Sequence, residues 1–334
     1  MGDQVSVVTG GSGFIGSHVV RQLVAQGDEV RVLDLNAPAP DLAAQVAFCE
    51  GSILDAAAVG AALKGATRLF HLAANPNLWA RDKSQLEHVN FHGTQTVLDA
   101  AAKSDLRRIV VTSTETILKS YKDASSEPIS ETSPLPALDA LPGYYSRSKM
   151  RADMAAREAI GQGLPITIVN PTVPVGEGDV SFTPPTKMIL GFVDGSTPAY
   201  LDCVLNLIAV QDVAAGHILA AEKGRVGERY ILSGENVRLG RVLEILEQIT
   251  GTPMPKRKVP YWLSYTVGVV SEILADHVTG TPPIAPLEGV RVAGTPMSFD
   301  NSKARTELGL KLTPLEEALR QSVNWLKQEG HLKP

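Results

Sequence analysis

The chain has 334 residues, 44% of them apolar and 20% charged, enough for a large buried core with an ordinary water-facing surface. A net charge of -5, without any run of five basic residues, removes the electrostatic ground for a nucleic-acid partner. Two cysteines, Cys49 and Cys203, sit in apolar, strand-like stretches and read as small core side chains, which fits a reducing cytoplasm.

From the N-terminus a strand pattern begins at Val5, with no charged leader before it. Short apolar runs then alternate with helical patterns. The runs are Val5–Thr9, Val30–Asp34, Val46–Phe48, Arg68–Leu72, Ile109–Thr112 and Ile166–Val169. This rhythm predicts an α/β fold, a doubly wound parallel sheet of the Rossmann kind over residues 1–170, with its ligand crevice at the carboxyl ends of the strands. Residues Ser120–Gly143, rich in Pro, Ser, Asp and Glu, read as a long loop. Beyond Pro171 the rhythm breaks around Pro174, Pro184, Pro185 and Pro198, which predicts a smaller α/β substrate lobe built from 171–202 and 225–334. Asn206–Asp212 reads as a strand leading into a helix to about Lys223, so the chain is expected to return to the first domain near 203–224. Val259–Ala275 is apolar but too short to span a bilayer and carries Glu272; it reads as a packed helix.

The first strand runs directly into Thr9-Gly10-Gly11-Ser12-Gly13-Phe14-Ile15-Gly16. Gly10 permits a tight turn, Gly13 lets backbone amides approach a pyrophosphate, and Gly16 allows helix and strand to pack closely. A Gly-rich connecting turn is the bland alternative; the position between first strand and first helix favours a dinucleotide. Asp34 ends the second strand, where a carboxylate can accept from both adenosine ribose hydroxyls and repel a 2′-phosphate. NAD is therefore expected over NADP, although Asp34 could instead cap the following loop.

Tyr145 and Lys149 lie four apart at the start of a helical pattern and share a face; Tyr144 has no basic partner at that spacing. Bringing a phenol from about 10 to about 7 takes roughly 4 kcal/mol. A cation about 4 Å away supplies on the order of 4 kcal/mol at an effective dielectric of about 20. By this arithmetic the pair can move a proton near neutral pH. The fifth strand ends in Thr112-Ser113-Thr114-Glu115-Thr116, putting hydroxyls at the expected crevice. Thr114 is the candidate to orient a reacting oxygen, with Ser113 as runner-up.

These residues resemble the extended short-chain dehydrogenase/reductase family of NAD-dependent epimerases and dehydratases, with its T-G-x-x-G-x-x-G turn, Ser/Thr and Y-x-x-x-K. Supporting matches are His71-Leu72-Ala73-Ala74, Asn90-Phe-His-Gly93-Thr94 and Asn170-Pro171-Thr172-Val173-Pro174. The resemblance implies catalysis by Thr114, Tyr145 and Lys149. It implies a cofactor site of Gly10, Ser12, Gly13, Phe14, Ile15, Gly16, Asp34, Ser52, Ile53, Leu72, Ala73, Ala74, Asn90, Thr112, Tyr145, Lys149, Pro171 and Val173, with Asn90 as support behind the site. Leu78–Asp82, Pro198–Tyr200, Asp212–His217 and Gly227–Leu232 resemble the hopanoid-associated sugar epimerases and dihydroflavonol-4-reductase-like enzymes within it. The family's acidic adenine contact is replaced here by Ser52, which leaves Ser52 or the backbone to substitute.

The expected activity is hydride transfer between nicotinamide and a carbinol or carbonyl carbon of a sugar-, polyol- or lipid-linked substrate. An epimerase retaining its NAD is the first alternative, and a non-catalytic NAD-sensing regulator the second. His88 and His92, four apart, lack a third ligand, so no metal is expected. Trp79, Tyr200, Tyr261 and Trp262 are core residues or pocket walls. Arg151, Arg157 and Glu158 read as a solvated helix face. Helices near Leu86–Ala102 and Tyr145–Ile160 are expected to pair in a homodimer, with a small-molecule substrate and no membrane span.

Overall fold

The computed structural model describes residues 4–332. Residues 1–3, where no leader is expected, and 333–334, assigned to the second lobe, lie outside the described residues. The strands are β1 (Val5–Thr9), β2 (Glu29–Asp34), β3 (Ala47–Glu50), β4 (Arg68–His71), β5 (Arg108–Thr112), β6 (Ile166–Pro171), β7 (Val173–Val175), β8 (Tyr200–Leu201), β9 (Val204–Ala209), β10 (Arg229–Leu232), β11 (Glu235–Arg238) and β12 (Lys258–Val259). The α-helices are α1 (Phe14–Ala25), α2 (Pro40–Ala43), α3 (Ala56–Leu63), α4 (Ser84–Glu87), α5 (Gly93–Ala101), α6 (Tyr144–Gly161), α7 (Pro184–Val193), α8 (Val210–Lys223), α9 (Leu239–Thr250), α10 (Tyr261–Leu274), α11 (Leu287–Ala293) and α12 (Leu315–Gln328).

Seven strands form one sheet in the order β3-β2-β1-β4-β5-β6-β10, and every pairing within it is parallel. Strand order reverses between β1 and β4, which opens the crevice at their carboxyl ends. The period of two divides each central strand between two cores. Val8 and Val110 join one with α1 and α8, while Val7, Ile109 and Val111 join the other with α3, α5 and α6. Smaller sheets, β11-β9-β7 and β12-β8, belong to the second lobe, where β7, β9 and β11 share a core with α7, α9 and α12.

Several sequence expectations shift. Arg229–Leu232, placed by sequence in the second lobe, is the seventh strand of the main sheet, paired with β6. The strand at 204–209 does not return to that sheet; it pairs with β7 and β11, and the returning element is α8, packed on α1 and β6. A short apolar run cannot reveal which sheet it joins, because partner choice depends on distant strands. The helix expected near 86–102 is interrupted by a turn of π-helix at His88–His92. Cys203 is buried between β8 and β9 rather than within a strand. Val259–Ala275 does form a helix, α10, but only its Gly268 is buried. Its apolar side faces outward.

Candidate active site

The glycine turn joins β1 to α1 at the point where strand order reverses. Gly10 has φ +70° and lies so near the end of β4 that a Cβ would stand 2.7 Å from the Ala73 backbone. A Cβ on Gly16 would stand 2.0 Å from the Gly10 carbonyl oxygen, so only glycine lets the helix start this close to the strand. No side chain caps α1 and no acidic residue occupies its first turn, which leaves its amides open to an anion. Phe14 is buried against His18, and Ile15 packs onto the first core. Asp34 accepts from the Ser12 amide at 3.0 Å and the Asn36 amide at 3.1 Å. Asp34 thus caps the loop, yet two amides do not exhaust a carboxylate's acceptor sites, and capping is compatible with holding a ribose. These features fit a dinucleotide.

Leu72, Ala73 and Ala74 follow β4, directly against the glycine turn. Behind them lies a buried relay with one consistent proton arrangement. The Ala73 amide donates to Thr9 Oγ1 (3.3 Å), whose hydroxyl donates to His71 Nδ1 (2.8 Å). His71 Nε2 then donates to Thr94 Oγ1 (2.9 Å), which donates to the Asn90 carbonyl (2.7 Å). Burial first, and the Lys149 charge second, push His71 down to about 3, so it stays neutral. Asn90, grouped by resemblance with the cofactor residues, is fully buried and spends its amide on Asn75 and the Ser148 hydroxyl. It therefore supports the site from behind. Ile53 is buried against Gly93, and the Ser52 hydroxyl accepts from the Leu54 amide at 3.2 Å. Pro171 closes β6 and Val173 opens β7 at the same carboxyl edge.

Tyr145 and Lys149 occupy the first turns of α6, while Tyr144 is half exposed on the outer side. Lys149 Nζ donates to the Thr112 carbonyl at 2.8 Å, and the Thr112 hydroxyl engages His217 Nε2 at 2.9 Å. His217 is neutral as well, pushed by burial down to about 4. Burial pushes the Tyr145 phenol up to about 12; the Thr114 hydroxyl favours the phenolate, and Glu288 and Glu115 oppose it. Burial pulls the Lys149 amine down to about 8. The protein alone thus does not bring the phenol near 7. Burial disfavours both ions, and the Lys149 amine, turned to the Thr112 carbonyl, is not among the groups that act on the phenol, so the stabilisation expected from the lysine charge is not seen.

The two candidate hydroxyls separate clearly. Ser113 donates to Asp153 at 2.8 Å, inside a buried network where Arg229 Nη2 reaches both Asp153 oxygens (2.6 and 2.7 Å) and Arg157 donates at 2.9 Å. Burial favours the neutral acid, but Arg229 and then Arg157 win and hold the Asp153 carboxyl below its usual range. Arg157 stays on the exposed helix face expected for Arg151, Arg157 and Glu158, and from there its guanidinium reaches in to Asp153. Asn170 donates to the Thr114 carbonyl at 2.7 Å, fixing the strand end. Apart from its interaction with the Tyr145 phenol, the Thr114 hydroxyl makes among the described residues only long contacts of 3.4 Å with Thr116, which leaves it available at the site.

Two carboxyls escaped the sequence reading. Glu115 follows Thr114, is buried, takes no hydrogen bond on its side chain among the described residues, and is pushed by burial up to about 8. Its place next to Thr114 was visible, but an acid after a strand ordinarily reads as solvated. Glu288, on α11 of the second lobe, accepts from the Tyr145 amide (3.0 Å) and from the Ser146 amide (2.8 Å) and hydroxyl. It caps α6 from 143 positions away, a relation no local pattern shows. Among the aromatic candidates, Trp79 is buried and donates to Asp276 at 2.7 Å, and Tyr200 belongs to the second core. Tyr261 lies against Gly294, and Trp262 points outward. His88 and His92 are exposed, their rings 5.8 Å apart.

A doubly wound sheet with a glycine turn at its switch point and a Thr, Tyr and Lys gathered at the neighbouring strand ends defines an extended short-chain dehydrogenase/reductase, an NAD(P)-dependent oxidoreductase or epimerase. A family profile described as the NAD dependent epimerase/dehydratase family matches residues 6–233, and the chain belongs to that family. A Synechocystis protein provisionally named a dihydroflavonol 4-reductase is 38% identical over 98% of this chain and 95% of its own length. Sterol demethylase protein B of Methylococcus capsulatus is 30% identical over 97% of this chain and 99% of its own. The crystal structure of gox2253 superposes with a TM-score of 0.86 at 36% identity, covering 99% of this chain and 100% of that one. No helix among the described residues is long and apolar enough to cross a membrane.

Proposed function

We propose that the protein is an NAD-dependent reductase or dehydrogenase that interconverts a carbonyl and a carbinol on a sugar-, polyol- or lipid-linked substrate. The observation that carries this reading is the convergence of the free Thr114 hydroxyl, the Tyr145 phenol and the Lys149 ammonium at the strand ends beside the glycine turn. Gly10, Gly13 and Gly16 hold the pyrophosphate and Asp34 the adenosine ribose, which favours NAD over NADP. When bound, the nicotinamide takes up or gives the hydride. Thr114 orients the substrate oxygen. Tyr145, protonated throughout the neutral range, donates its proton to that oxygen as the carbonyl is reduced and regains it from solvent afterwards. Lys149, held on the Thr112 carbonyl, keeps positive charge at the end of β5 and steadies that strand end. Glu115, pushed by burial up to about 8, stands next to Thr114 as a buried carboxyl without a hydrogen-bond partner among the described residues.

The compounds named in two relatives, a dihydroflavonol and a sterol, support a bulky, largely apolar substrate. Hopanoid-linked polyols fall within that class. α6, with Met154 exposed on it, and α5 are the proposed surface for a homodimer. The test is turnover of NADH with carbonyl substrates of this class, with NADPH as the control cofactor. Consumption of NADH, lost about a hundredfold or more in Tyr145→Phe while NAD still binds, is the expected result. Inversion of a sugar carbinol without net cofactor consumption identifies the epimerase instead. Cellular function that survives Tyr145→Phe identifies a regulator.

A further inference from the structure

We infer that α10 and the basic turn before it form a docking surface for an anionic lipid bilayer, on which the enzyme lies without inserting across. Leu263, Val267, Val270 and Leu274 follow at spacings of four, three and four, which makes one stripe, and Trp262 and Ile273 flank it. All six are exposed, Trp262 by 67% and Ile273 by 53%. Farther along the chain Val278 and Ile284 are exposed too, by 73% and 93%. A contiguous patch of this kind is not what a water-facing helix presents.

The charges beside the patch say what covers it. Lys256, Arg257 and Lys258 lead directly into α10 and are all exposed. Lys258 pairs with Asp202 at 2.8 Å, whereas Lys256 and Arg257 have no ion pair among the described residues. Residues 256–284 contain only two acids, and both are engaged by the protein itself. Glu272 accepts from the Leu287 amide at 2.9 Å, and Asp276 accepts from Lys83 and from the Trp79 indole, each at 2.7 Å. The free surface is therefore tryptophan, aliphatic side chains and uncompensated cations, the composition of a helix that lies in a lipid headgroup layer. A second copy of the chain would bring no free acid from this segment to meet those cations. No described helix is both long and apolar enough to span, so the docking is peripheral. α10 packs on α11, which carries Glu288 onto the helix of Tyr145, and this places the lipid surface one element from the catalytic residues. Docking stands apart from the proposed chemistry and is read without any turnover.

The experiment uses the full chain and two sets of vesicles, phosphatidylcholine alone and phosphatidylcholine with about one third phosphatidylglycerol. The protein is expected to float with the anionic vesicles, less so as salt is raised. Of three tryptophans, Trp79 and Trp325 are buried, so a blue shift in emission on binding reports Trp262. Val270→Ser with Ile273→Ser, both on the outer face, should weaken flotation at least about tenfold. Lys256→Gln with Arg257→Gln should weaken it and flatten its salt dependence. Absence of flotation with the anionic vesicles overturns the proposal, as does flotation undiminished by both pairs of substitutions. A vesicle-free dimer that dissociates on Val270→Ser with Ile273→Ser also overturns it, in favour of a second copy as the occupant.

Discussion

Replacing Glu115 by Gln tests the buried carboxyl beside Thr114 without needing a substrate. In the folded chain Glu115 is pushed from 4.5 up to about 8 by burial, while in the unfolded chain it ionises near 4.5. Between those values the native state holds a proton that the unfolded state has lost, so stability falls as pH rises through this window. At about 1.4 kcal/mol per unit, the full shift is worth up to about 5 kcal/mol. Relaxation around the ion will make the observed figure smaller. Gln is a neutral near-isostere and carries no such penalty. Urea unfolding of both proteins from about pH 5 to about pH 9 is the assay. Their free energies should run close together near pH 5 and diverge upward in pH, with the Gln variant more stable by several kcal/mol near pH 9. Glu131, Asp212 and Glu288 are also raised, but they titrate alike in both proteins and drop out of the difference. A difference that stays flat across the range refutes the assignment of a neutral Glu115 at pH 7.

Glu288→Gln turns an amide toward the Tyr145 or Ser146 backbone donor and leaves it unpaired, a loss of about 1–3 kcal/mol seen as a lower urea midpoint. kcat should drop about tenfold with NAD affinity retained, and an unchanged kcat would show that the cap does not position the tyrosine. Gly16→Ala forces a Cβ to 2.0 Å from the Gly10 carbonyl, so calorimetric NAD titration should find affinity lowered at least about tenfold. Asp153→Asn leaves the Arg229 guanidinium, with 6% of its side chain exposed, without a counter-charge. Unfolding should register a loss of about 3–5 kcal/mol, and a change below about 1 kcal/mol would argue that the network is dispensable.

Periodicity and turn chemistry are local, and what depends on them was legible. The six early strands end within a few residues of their predicted limits because all but the exposed edge strand β3 are short, largely buried runs bounded by polar turns. The glycine turn could be read for the same reason: a left-handed residue and two close approaches demand glycine wherever they occur. Tyr145 and Lys149 were found together because helical spacing alone sets them on one face. What the sequence could not determine depends on residues far apart in the chain. Neither the seventh strand at 229–232 nor the smaller sheet joined by 204–209 follows from local pattern, since a strand's partner is chosen by global packing. The sequence already prefers Thr114 to Ser113, but the reason the serine is occupied, its bond to an Asp153 held by Arg229, needed the fold. The acidities of Tyr145, Lys149 and Glu115 are set by how much protein surrounds each charge, a quantity that exists only once the chain has folded. In the same way an apolar helix written into the sequence became either core or surface only when its neighbours were in place, and α10 was left facing out.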